Sequence, residues 1–395
     1  MNNAKKSLVP HRRFKEFQNA GAWEQRKLGD IVKISTGFPF DSDSFTEDGN
    51  YLVITNGNIQ DNSSIVDSTI GNHISVFDED IISKYVLNVD DILVTMDGTV
   101  GRTAKVSKEN MILAQRVGRL KATEDSEFIY QLLNAGNFSK DMLRKSHGGT
   151  IKHISLSEIS SFETLFPVDK RERSKIGNHF KQLDTLIALH QRKLNKLKKL
   201  KSAYLTEMFP DEGEHKPKRR FAGFTDDWEQ RKLGDTVNSI VAGGDIDKSK
   251  IQENGKYPVY ANALTNDGVI GYYNDQYRVK APAVTVTGRG EIGVAKTRNT
   301  NFTPVVRLLA INSMHNNYFL ENLINTHRAF AESTGVPQLT APQLANYKLK
   351  FPKSIEEESK IGNFFNNLDS LITLHQRKID KLQKLKNAYL NEMFV

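Results

Sequence analysis

Cysteine is absent from all 395 residues. Disulfide frameworks, thiolate metal sites and cysteine nucleophiles are therefore excluded together, and the composition suits a reducing compartment, so the cytoplasm is the expected location. No stretch approaches the roughly 20 apolar residues needed to span a bilayer. Met1–Phe17 is polar and basic, without the apolar run of an export signal, and no membrane association is expected. The chain also lacks a GxxxxGK[ST] phosphate loop and the N-P-P-[FY] or D-P-P-[FY] string of adenine methyltransferases. Gly288, Gly290 and Gly293 spell G-x-G-x-x-G after AVTVT. VAKT and a turn come next, with no helix and no acidic residue about 20 positions on, so a glycine hairpin is the better reading than a dinucleotide site. No nucleophile, base and orienting group cluster in a recognisable motif, and no cofactor or metal site is expected in this chain.

Tryptophan occurs only twice, and its two positions expose the organisation of the chain. Ala22–Asp30 reads AWEQRKLGD and Asp227–Asp235 reads DWEQRKLGD, so Trp23 and Trp228 open two copies of one string. SKIGN at Ser174–Asn178 recurs at Ser359–Asn363, LHQRK at Leu189–Lys193 recurs at Leu374–Lys378, and AYLTEMF at Ala203–Phe209 recurs as AYLNEMF at Ala388–Phe394, all at an offset of 185 residues. Phe14 and Phe17 before Trp23 correspond to Phe221 and Phe224 before Trp228, with two extra residues in the first copy. A repeat of this kind decides the architecture before any local reading. Between the matching ends lie dissimilar segments, Ile31–Thr164 and Thr236–Lys350. They carry short apolar runs such as Tyr51–Thr55, Asp91–Thr95 and Pro282–Thr287, separated by Gly, Asn and Asp turn signals. Each is expected to be a compact, mainly β domain with a few helices. GTVGRTAK at 98–105 resembles GEIGVAK at 290–296, and each reads as strand, tight turn, strand.

From Ser174 to Phe209 there is no proline, and Ile176, Phe180, Leu183, Ile187, His190, Leu194, Leu197, Lys201, Tyr204 and Met208 alternate by four and three. That spacing is a heptad seam, repeated from Ile361 to Met393, and two matching seams in one chain should pair. Such a helix is about 54 Å long. The 14 residues Pro210–Gly223 after it reach only about 50 Å when extended. A parallel pair would stretch them almost straight, so an antiparallel coiled coil is expected, with one variable domain at each end and a pseudo-two-fold axis near His190 and His375. The chain then divides into a lead-in (1–21), a first domain (22–170), a first helix (171–209), a linker (210–224), a second domain (225–353) and a second helix (354–395). The fold class is α+β.

Two similar but non-identical domains held apart in this way suit a reader of two signals on one extended partner. Double-stranded DNA, with one turn per ~34 Å, offers such signals at grooves on one face. A net charge of +8 and a pI near 9.2 permit a polyanionic partner without demanding one. Arg192, Lys193, Lys196, Lys198, Lys199 and Lys201 occur without an intervening acid, and Lys216, Lys218, Arg219 and Arg220 come after them. They read either as phosphate contacts or as a solvated helix face that docks an acidic protein.

The repeated WEQRKLGD openings, the FP-bounded variable segments at Phe166-Pro167 and Phe351-Pro352, and the SKIG…LD.LI..HQRK…L..LK.AYL.EMF helices resemble type I restriction-modification specificity subunits over nearly the whole chain. The resemblance implies that the variable segments are target recognition domains, each reading half of a split, asymmetric DNA sequence. It implies that the shared helices bind two modification subunits. It also implies that S-adenosylmethionine, ATP and Mg serve those modification subunits and the restriction subunits, this chain being non-catalytic. A stand-alone bipartite DNA-binding regulator and a structural coiled-coil protein are the alternatives.

Turn-borne polar residues are the candidate DNA contacts: Asn56, Asn58, Arg102, Lys105, Lys145 and Lys152 in the first domain, and Asn262, Asn266, Tyr272, Arg289 and Lys296 in the second. Arg289 reads as a guanine or phosphate contact or as an ordinary surface arginine. For partner docking the candidates are Trp23 and Trp228, unless they anchor their domain cores, with Arg192, Lys193, Arg377 and Lys378 on the helices. Deleting one heptad from both helices is expected to change the spacer between the half-sites, read by methylation sequencing, and to leave the half-sites alone. Altered half-sites with an unchanged spacer would contradict the spacer role.

Overall fold

The computed structural model describes residues 9–61, 63–122, 124–327 and 338–394. The chain forms two compact units, Met1–His190 with Arg377–Val395, and Gln191–Gln376. In each unit, the residues after tryptophan form a short strand that pairs antiparallel with the strand ending the variable segment. Glu24–Lys27 pairs with Glu163–Phe166, and Glu229–Lys232 with Lys348–Phe351. The repeated opening and the FP boundary thus close one another, and the variable segment begins and ends at one place. The LGD next in sequence turns through a short 3₁₀ helix that buries Leu28 and Leu233 completely. The glycine of this turn packs closely on the neighbouring helix, a Cβ at Gly29 lying 3.1 Å from Ser160 Cβ and displacing the Ser160 hydroxyl.

Both variable segments build the same plan from different residues. The first unit has a four-stranded antiparallel sheet ordered Val32–Thr36, Val117–Ala122, Ile92–Thr95, Thr103–Lys105. The second has Ser239–Ala242, Leu308–Asn312, Ala283–Thr287, Ala295–Arg298 in the same order. A smaller sheet accompanies each, and in each it includes one parallel pairing, Tyr51–Ile54 with Met111–Leu113 and Tyr257–Tyr260 with Thr303–Pro304. Short helices come after the strands: Ser126–Asn134 and Asn317–Thr326 bury apolar faces on the core. Leu156–Ser160 and Ala341–Ala345 each start on a capping box, Ser155 with Glu158 and Thr340 with Gln343, which satisfies two backbone donors reciprocally.

The two long helices, Lys170–Glu207 and Ile355–Met393, pair as the heptad spacing predicts and lie antiparallel as the linker length predicts. In the first unit Lys386 Nζ bonds Asp184 Oδ1 at 2.6 Å, and in the second Lys201 Nζ bonds both Asp369 oxygens at 2.7 Å. The lysines that interrupt the seam are thus neutralised across it. Ile176, Phe180 and Leu194, with their counterparts Ile361, Phe365 and Ile379, are buried.

The far end of each helix completes an aromatic core. In the first unit Phe394 packs on Trp23, Phe128 and Phe180, with ring centroids 5.5–6.3 Å apart. In the second Phe209 packs on Trp228, Phe319 and Phe365 at 5.7–6.0 Å. A strap with the sequence Arg-Arg-Phe clamps each arrangement. The Arg12 backbone N–H donates to Glu392 O at 2.8 Å, its guanidinium pairs with the Glu392 carboxylate, and Arg13 grips Glu172 with two bonds of 2.6 and 2.7 Å. In the second unit Arg219 and Arg220 do the same with Glu207 and Glu357. Glu172 and Glu357 stand in the first turns of the long helices, where the helix dipole also favours a carboxylate.

The linker cations read as phosphate contacts have acidic partners within the chain. Arg219 and Arg220 are committed to the strap, Lys216 pairs with Asp227 at 3.1 Å, and Lys218 pairs with Asp211 at 2.6 Å. The Arg13–Glu172 pair is buried, at 5% and 1% side-chain exposure. Arg13→Met alone is therefore expected to destabilise the first unit by about 3–5 kcal/mol by stranding the carboxylate. The double variant Arg13→Met with Glu172→Met should regain most of that loss in urea denaturation, and equal losses for both variants would contradict the assignment.

Candidate nucleic-acid interface

The hairpin read from the two glycine strings is present in both domains, built the same way. Ile92–Thr95 turns into Thr103–Lys105, and Ala283–Thr287 into Ala295–Arg298. Gly98 and Gly101, and likewise Gly290 and Gly293, adopt φ of 72–80°, a region that glycine enters without a Cβ penalty. The Gly101 N–H donates to Thr95 O at 2.9 Å, and the Gly293 N–H to Thr287 O at 2.8 Å. The threonine hydroxyl completes each turn, accepting from the Arg102 or Val294 N–H at 3.0 Å and donating to the Thr99 or Glu291 carbonyl. The G-x-G-x-x-G string therefore leads into a strand and not a helix.

Two of the expected contact residues brace this hairpin. Asn56 Oδ1 accepts from the Met96 N–H at 3.3 Å, and Asn262 Oδ1 from the Gly288 N–H at 2.8 Å, so both carboxamides hold the residue after the hairpin's first strand. The Lys152 carbonyl accepts from the Gly98 N–H at 2.9 Å while its ammonium donates to Gly148 O at 3.0 Å. Arg289 is exposed at the tip in the second domain. Its structural counterpart in the first domain is Asp97, which lies 2.9 Å from Arg116 Nη1 and 2.7 Å from His153 Nδ1. Burial pushes the Asp97 carboxyl up, but the bonds from His153 and Arg116 outweigh it and hold it below the ordinary carboxylate value.

The other expected contacts are buried or engaged within the protein. Asn58 is 1% exposed, bonding Asp67 O at 2.9 Å, Ile70 O at 2.8 Å and the Thr55 N–H at 2.9 Å. Lys105 is 8% exposed, ion-paired with Glu127 and 4.9 Å above the Tyr130 ring. Both belong to the interior. Arg102 pairs with Asp61, Lys145 with Asp141 at 2.8 Å, and Lys296 with Asp267. Asn266 bonds Val269 O at 3.0 Å, and Tyr272 is half-buried in the strand Val269–Tyr273.

On the shared frame, Trp23 and Trp228 are 2% and 1% exposed. Both indoles are core residues, closed off from the surface by the rings that pack on them. Arg192, Lys193, Arg377 and Lys378 are exposed. Beside them, sequence reading passed over matched leucines that the helices leave in solvent: Leu186, Leu189 and Leu200, with counterparts Leu371, Leu374 and Leu385, all 37–45% exposed. Their signal is a repeated apolar set off the seam. Among the described residues no group of three metal-ligating side chains occurs, and no helix is long and apolar enough to cross a membrane.

The model of the type I restriction modification DNA specificity domain matches residues 21–199 and 225–384, once in each half. The specificity subunit of the type I restriction enzyme MjaVIII from Methanocaldococcus jannaschii is 21% identical over 93% of this chain and 91% of its own length. A putative type I specificity subunit from Mycoplasma pneumoniae is 29% identical over a shorter match, 33% of this chain and 37% of that protein. The crystal structure of a type I restriction-modification S subunit from M. genitalium superposes with a TM-score of 0.75 at 16% identity, covering 98% of this chain and 99% of that one. That likeness carries the fold. With both halves matched by one domain model on a frame that closes the same way twice, the chain belongs to the type I restriction-modification DNA specificity family.

Proposed function

We propose that the chain reads a bipartite, asymmetric DNA target, one half with each domain, and directs modification and restriction subunits to it without a catalytic group of its own. The observation that carries this reading is one hairpin held on one frame in both domains with different chemistry at its tip. Asp97-Gly98-Thr99 stands in the first domain where Arg289-Gly290-Glu291 stands in the second. An acid–base pair and an exposed guanidinium recognise different surfaces of a duplex, since arginine bonds guanine edges and phosphates while a carboxylate accepts only from donors such as the cytosine amino group. The target halves should differ accordingly.

The repeat also supports a reading of the partners. Within each unit the exposed leucines and cations, Leu186, Leu189, Leu385, Arg377 and Lys378 in the first and Leu371, Leu374, Leu200, Arg192 and Lys193 in the second, offer an equivalent docking face, one for each of two modification subunits. S-adenosylmethionine, ATP and Mg belong to those partners and the restriction subunits in this reading, and the assembly works in the cytoplasm. Arg289 and Lys152 are the expected contacts best placed at the hairpins, with Asn56 and Asn262 holding them in position.

Replacing residues 31–164 with the corresponding segment of another family member is expected to change one half of the methylated target and leave the other half and the spacer intact. If both halves changed together, the two-reader account would fail.

A further inference from the structure

Among the described residues, seven non-glycine positions adopt left-handed backbone angles: Asp90, Asn110, Arg116, Asp125, Asn266, Asp267 and Arg307. Five are Asp or Asn, which tolerate this region because a short polar side chain bonds locally. The two exceptions are both arginine, at φ of 70° and 72°, and they occupy the same structural position. Arg116 immediately precedes the strand whose Val117 pairs with Thr95, and Arg307 immediately precedes the strand whose Leu308 pairs with Thr287. Both therefore lie beside the start of the glycine hairpin. The Arg116 carbonyl accepts from the Met96 N–H at 3.3 Å, and the Arg307 carbonyl would stand 2.2 Å from a Cβ at Gly288.

Left-handed angles cost an arginine conformational energy, and strain of this kind persists where the surroundings or the function require it. The flanking residues have diverged, Gln115 before Arg116 and Val306 before Arg307, yet arginine stands at the strained position in both copies. Glycine would adopt these angles without cost, so the backbone alone does not explain the side chain. A guanidinium beside the tip does: it is planar, permanently charged and able to bond guanine or phosphate with two parallel donors.

Resting on the DNA-reading function above, we infer that Arg116 and Arg307 are paired specificity-determining residues, each bonding DNA in the half-site its own domain reads. In the first domain Asp97 holds one edge of the Arg116 guanidinium, whose side chain remains 59% exposed. In the second the Asp97 position is Arg289, so that domain carries arginine at both matched positions. The second domain should therefore bind with the steeper salt dependence, because each phosphate neutralised releases counterions.

The test is selection from a randomised duplex library by the complete chain assembled with its modification subunits, together with thermal melting of the chain. Arg116→Gly and Arg307→Gly are used because glycine suits the backbone. Arg116→Gly is expected to lower affinity about 10-fold and relax only the half-site read by the first domain, with the melting temperature unchanged or raised. Arg307→Gly should do the same to the other half. A wild-type complex that enriches no motif would overturn DNA reading itself. A wild-type split motif that both variants still enrich at wild-type affinity would overturn this inference alone, as would a lowered melting temperature in both variants, which would make the arginines structural.

Discussion

Closure of each aromatic core by the end of a long helix is the constraint on which the rest of the molecule depends. Phe394 fills the space between Trp23, Phe128 and Phe180, and Phe209 fills its equivalent beside Trp228, Phe319 and Phe365. Neither domain has a finished interior without that phenylalanine. Each helix contributes its beginning to one unit and its end to the other, so folding of the variable segments is tied to pairing of the helices. Dispersion among close-packed rings supplies the attraction, and the Arg-Arg-Phe strap fixes both helix termini with charge-assisted bonds. Tyr204 and Tyr389 serve the same closure, lying under Arg219 and Arg12 at 5.2 Å.

A frame closed in this way frees the variable segments to diverge. Their entry and exit are held together by one strand pair, and their hairpins are fixed by backbone bonds, two glycines, a threonine hydroxyl and an asparagine strut. None of these elements dictates what the tip presents. Asp97 and Arg289 occupy one position with opposite charge, while the threonine hydroxyl beneath them bonds identically. Constancy of the support and variability of the tip suit the proposed reading of two different half-sites.

Much of the fold was legible because repetition and heptad spacing are periodic signals that need no tertiary context. The two long helices, their pairing and the strand–turn–strand glycine hairpins all derive from them, and the short linker adds the antiparallel sense. The site was less legible, because exposure and pairing are decided by residues far apart in sequence. Lys105 reads as a turn cation until Glu127 and Tyr130 close over it, and Arg219 and Arg220 read as a basic run until Glu207 and Glu357 meet them. The left-handed backbone at Arg116 and Arg307 has no sequence signal at all, since the residue type that normally marks such angles is not the one present.

The most direct measurement is a single-molecule methylation map of DNA from cells expressing this chain with its modification subunit, compared with cells expressing the modification subunit alone. A split, asymmetric motif that appears only when both are present is the predicted result. No new methylation, with the complex shown to form, would contradict the account.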